Sequence, residues 1–127
     1  MSADPSLPLQ VAVYEALKLF ASGNVFAEVP AGTPLPFIVY GDDFIAAEYD
    51  SGDWSRCTVN VSVFARNSTE LKTLAAQVRA ALDLPLSVAG FTTGEAYFDD
   101  IQYLKERDGK ARHAAMSFEY VLIPCGD

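Results

Sequence analysis

Apolar and polar residues alternate most regularly from Arg56 to Ala65, where Cys57, Val59, Val61, Val63 and Ala65 interleave with Thr58, Asn60, Ser62 and Phe64. A period of two predicts a strand with one face on a core. The other face is polar except for Phe64, a large ring. The period then changes. Asn67 can cap a helix, with Glu70 placed to answer it in a capping box. Leu71, Leu74, Ala75, Val78 and Leu82 follow at steps of three or four and share one side of that helix. Leu84-Pro85 stops it, because a residue before proline avoids the α region. The strand face and the helix face hide each other from water, and the other strands must extend that sheet.

The rest of the chain supplies them. Asp4-Pro5 opens a first helix with Leu9, Val13, Ala16, Leu17 and Phe20 as its apolar stripe, ended by Ser22-Gly23-Asn24. Val25–Val29 is a short predicted strand. Pro30, Pro34 and Pro36 remove too many donors for the next stretch to be a helix or a central strand. Phe37–Tyr40 is a strand closed by Gly41. Leu86–Phe91 is a further short strand. Glu95–Glu106 and Ala111–Ile123 form a C-terminal β-hairpin around Asp108-Gly109, a type I′ signal. The alternation places Tyr97, Asp99, Ile101 and Tyr103 on one face of its first arm. These elements predict an α+β fold: a mostly antiparallel sheet with two helices packed on one face. No linker or repeat divides residues 1–127, so one domain is expected.

Between the strands that end at Tyr40 and begin at Arg56 runs DDFIAAEYDSGDWS, residues 42–55. It is acidic, and Phe44, Tyr49 and Trp54 are spaced along it. Asp50–Asp53 is a turn signal. The expectation is a long projecting loop or hairpin whose aromatic residues meet a partner surface or pack back on the domain. Lys105, Arg107, Lys110 and Arg112 cluster around the C-terminal hairpin turn. They form either a solvated turn or a docking point for an acidic neighbouring subunit.

A formal net charge of −8 argues against a nucleic-acid groove, which needs clustered cations, and against an anionic membrane surface. No apolar run reaches the length of a membrane span. Two cysteines, Cys57 and Cys125, make no disulfide framework, and Cys57 sits in the apolar register of a strand. The reading is a protein of the reducing cytoplasm. His113 is the sole histidine. Ser117 shares its face but lies about 13 Å along the strand, and no third group orients the pair. Asp42-Asp43 and Asp99-Asp100 each point to opposite faces of a strand. No metal, dinucleotide or P-loop pattern occurs, so no catalytic residue, cofactor or metal is assigned.

Four stretches, in order, resemble the tail-terminator (tail-completion) proteins of long-tailed bacteriophages and gene-transfer agents. They are LQVAVYEAL at 9–17, the segment from Val25 to Asp43 containing GTPLPFIVYGDD, the strand and alanine-rich helix from Thr58 to Leu82, and DGKARH at 108–113 with Phe118. The resemblance implies a subunit of a ring, typically a hexamer, that caps the tail tube and stops its growth. It implies as partners other copies of the chain, the tail-tube protein and a head-completion or neck protein, with DNA crossing the lumen unbound. It implies a place in the tail of a virion or virus-like particle, assembled in the bacterial cytoplasm. Asp42, Asp43, Phe44, Tyr49, Trp54, Lys105, Arg107, Lys110 and Arg112 are the candidate subunit or tube contacts. A head–tail adaptor, a tube subunit, or a small-molecule-binding domain with a pocket near His113 and Asp99 are the alternatives.

Overall fold

The Cys57–Ala65 alternation becomes β3 (Trp54–Ala65), the middle strand of five. The computed structural model describes residues 4–48, 54–105 and 111–125. They fold as two helices, α1 (Ser6–Leu17) and α2 (Ser68–Leu82), over an open sheet. The sheet has the order β1-β2-β3-β5-β4, with β1 Val25–Phe26, β2 Phe37–Glu48, β4 Phe91–Lys105 and β5 Arg112–Pro124. Every pairing is antiparallel except β1 with β2. This is the expected α+β fold.

Cys57, Val59, Val61, Val63 and Ala65 are all buried, as are Ala114, Met116, Phe118, Tyr120 and Leu122 on the same face of β5. Against them lie the five α2 residues that the helical spacing selects, together with Leu9, Ala12, Val13 and Leu17 of α1. Both helices therefore cover the same face. Asn67 caps α2, its Oδ1 accepting from the Glu70 N–H at 2.8 Å. Glu70 does not complete the box on Asn67. Its carboxylate accepts from the backbone N–H and the guanidinium of Arg66, because the second contact adds charge to the hydrogen bond.

Other boundaries differ from the pattern. The expected strand Val25–Val29 pairs only through Phe26, and α1 ends at Leu17, before a 3-10 turn at Ala21–Gly23. The expected strand Leu86–Phe91 is a loop up to Gly90, and only its last residue, Phe91, is in a strand, the first of β4. Leu86 and Val88 plug the edge of the core from a loop that the Thr93 hydroxyl fastens through the Leu86 carbonyl at 2.7 Å. β2 does not stop at Gly41, which adopts φ +107° where an extra residue enters the ladder between Val39 and Asp42. The strand then runs on to Glu48. Such a bulge bends a strand and re-aims the side chains beyond it.

The largest correction is in β4. Extra residues enter between Thr93 and Ala96 and again between Phe98 and Asp100. Phe98 pairs with Phe118, Ile101 with Met116 and Tyr103 with Ala114, so these three share the core side. Tyr97 pairs with Glu119 on the other face. The expected set of Tyr97, Asp99, Ile101 and Tyr103 is split because each inserted residue inverts the later side chains.

Candidate interaction surfaces

The stretch at 42–55 is a hairpin arm rather than a loop: Asp42–Glu48 pair with Trp54–Asn60. Tyr49 and the 49–53 turn lie outside the described residues. The bulge at Gly41 decides where the two aspartates go. Asp42 faces out opposite Asn60, and Asp43 turns to the core side opposite Val59. Burial pushes the Asp43 carboxyl up to about 6; the Asp42 charge adds to this and a backbone hydrogen bond from Asn60 opposes it. Its Oδ1 finds no hydrogen-bond partner among the described residues. Phe44 is 67% exposed, and Trp54 is half-buried with the Arg56 guanidinium 5.6 Å from its ring centre.

The face of the sheet opposite the helices is ruled by cross-strand rows. Ser117 donates to Asn60 Oδ1 at 2.7 Å, and Asn60 Nδ2 donates to the Asp42 carbonyl at 2.7 Å, which ties β5, β3 and β2 together. One row on, Tyr97 donates to Glu119. Towards the other end, the rings of Phe37, Phe64 and His113 stack at 5.0 and 4.2 Å. Phe64, which broke the polar pattern of β3, is the middle of that stack. His113 is half-buried there, and the Ser117 hydroxyl is directed at Asn60, so the two make no nucleophile–base pair.

At the far end of the sheet, Ala65, Arg112 and Lys105 form the last rung. Lys72 of α2 stands 5.4 Å from the Tyr103 ring centre. These cations rim a cleft of about 190 Å³ that includes Ser68, the first residue of α2. Arg107 and Lys110 lie outside the described residues. The register therefore separates the two candidate regions: the Glu48–Trp54 rung lies at one end of the sheet and the Lys105–Arg112 rung at the other.

Residues outside the predicted sites also stand out. Leu7 and Val11 of α1 are exposed beside an apolar groove of about 560 Å³ between the helix and Leu86–Ala89, while Tyr14, also exposed, lies 5.9 Å from the Tyr40 ring centre. The signal was present in SLPLQVAVYEAL, which is apolar on more than one side; a helix apolar all round is normally covered all round. Burial pushes the Cys57 thiol up to about 11, where it is inert, and Cys125 is an exposed free thiol. Among the described residues no group of three or more His, Cys, Asp or Glu could hold a metal ion. No helix among them is long and apolar enough to cross a membrane.

No curated protein matches the chain. Among solved structures it is similar to a chain described as "Virion of native gene transfer agent (GTA) particle", with a TM-score of 0.81 and 23% identity over 95% of this chain and 98% of that one. That likeness gives the fold. Residues 11–123 match the model of the family described as "Tail completion protein gp17". The match runs from the middle of α1 to the end of β5, most of the chain, so the chain belongs to the tail completion protein gp17 family and is a structural protein of the phage tail.

Proposed function

We propose that copies of this chain close a ring, typically of six, on the end of the tail tube. The ring stops tube growth and joins the tail to the head or neck. The observation that carries this reading is the family match over residues 11–123. The resemblance to a chain of a gene transfer agent virion supports it. So does the pattern of surfaces: an acidic, aromatic arm, a basic cleft and an apolar helix face lie apart from one another, as a subunit that meets several neighbours requires. The chain acts without catalysis. Its mechanism is geometric: each copy presents one surface to a different surface of the next, and rotation closes the circle. Asp42, Asp43, Phe44, Tyr49 and Trp54 on the arm, with Lys105, Arg107, Lys110 and Arg112 at the opposite end, are the proposed contacts. The negative balance of the chain lets DNA cross the lumen without sticking.

Electron microscopy of particles made without this protein tests the reading. Overlong tails that are not attached to heads are the expected outcome. Tails of normal length joined to heads would refute it. Purified protein that polymerises alone into long tubes would instead identify a tube subunit.

A further inference from the structure

The cleft at the basic end has an incomplete charge balance. Among the described residues, Lys72, Lys105 and Arg112 form no ion pair, whereas Lys18, Arg66 and Arg79 each meet a carboxylate three or four residues away. Tyr103 and Leu104, both more than a third exposed, adjoin the three cations. A site of three such cations beside an aromatic ring and an aliphatic side chain suits a segment that is itself acidic and aromatic. The chain contains one. Residues 42–54 carry Asp42, Asp43, Glu48, Asp50 and Asp53 with Phe44, Tyr49 and Trp54, and hold no Lys or Arg. Within one molecule the rung of Glu48 with Trp54 and the rung of Lys105 with Arg112 stand at opposite ends of the sheet.

We propose that the cleft of Lys72, Lys105 and Arg112 receives the 42–54 arm of a second copy, and that this head-to-tail junction is what repeats around the ring. The inference rests on the ring reading above and names its joint. Because the joined surfaces differ and lie at opposite ends, the contact is heterologous, so each copy still offers a free arm and a free cleft after pairing. Opposite charges steer the ends together, and like ends repel, which disfavours head-to-head pairs.

Charge swapping tests it. The variants are Lys105→Glu with Arg112→Glu, then Asp50→Lys with Asp53→Lys, then all four together. The changed positions lie at or beyond the ends of the paired strands, and circular dichroism checks that each variant is folded. Ring formation is read by native mass measurement of the purified protein and by its presence on tails purified from producing cells. The expected result is loss of the ring in both two-site variants and its return in the four-site variant, with rings of the wild type weakening as salt is raised. Rings unaffected by reversal at either end would overturn the junction and leave the ring standing. So would rings that form normally but no longer join tails, which would assign the cleft to another tail protein. Loss without rescue in the four-site variant also overturns the junction. A wild-type chain that is single both in solution and on tails would remove the ring reading itself.

Discussion

The Tyr120 hydroxyl donates to the Leu82 carbonyl at 2.5 Å, in the buried interior, and so ties the centre of β5 to the last turn of α2. The last carbonyls of a helix have no partner within it, and a buried phenol needs an acceptor, so each group satisfies the other. Burial also holds the Tyr120 phenol well above the usual tyrosine range, so it stays a donor at all working pH values. Tyr120→Phe keeps the ring and removes the bond. It is expected to lower stability by about 1–3 kcal/mol, read as a lower urea midpoint with unchanged slope. An unchanged midpoint would show that the bond adds nothing.

Asp43 gives stability a pH dependence of a definite sign. Its native carboxyl titrates near 6, against an ordinary value of 3.8, so the folded state binds the proton more tightly. The contribution is fully present below about pH 4 and is lost as the pH rises through about 6. Asp43→Asn is expected to stabilise the protein by ~1–2 kcal/mol at pH 7, less than the full shift because the group is partly solvated. The gain over the wild type should vanish towards pH 4. A gain that is the same at both pH values would rule out this account.

The α2 cap is local and separable. Asn67→Ala removes the acceptor of the Glu70 N–H. A loss of about 1 kcal/mol in thermal or urea unfolding is expected, with no change in assembly.

In β4, the number of residues matters more than the residue at the bulge. Asp99→Ala is expected to change stability by less than about 0.5 kcal/mol. Deleting Asp99 alone evens the ladder and keeps Ile101 and Tyr103 facing Met116 and Ala114, but deleting Asp99 together with Asp100 should cost at least about 2 kcal/mol, because both side chains would then turn away from that face. A double deletion as stable as Asp99→Ala would contradict the register.

Phe44, Tyr49 and Trp54 are proposed assembly contacts. Replacing all three with alanine should leave the far-ultraviolet circular dichroism of the domain unchanged and abolish ring formation or tail joining. Intact assembly by a folded triple variant would withdraw the arm from the interface.

The sequence alone revealed what strict periods encode. Val59, Val61 and Val63 had to share a face, and Leu71, Leu74 and Val78 had to share another, because nothing interrupts either repeat. The faces of β4 were hidden, since an inserted residue at Asp99 leaves the letters of the alternation intact while inverting their meaning. Gly41 read as a stop because glycine both ends strands and permits a bulge, and only the pairing of Asp42 with Asn60 separates the two. The site was legible in part. Composition pointed to Phe44 and Lys105, but Lys72 joins the basic cleft from a helix more than thirty residues away in sequence. The outward side of α1 was missed because Leu9 and Val13 already made a sufficient stripe.

The irregular ladder of β4 also affects safety before assembly. This fifteen-residue strand forms one border of the sheet, so its outer backbone groups would otherwise offer an even row to any stray strand. The insertions after Thr93 and Phe98 break that row into short, misaligned pieces. The border is thereby a poor template for unassembled copies to add to.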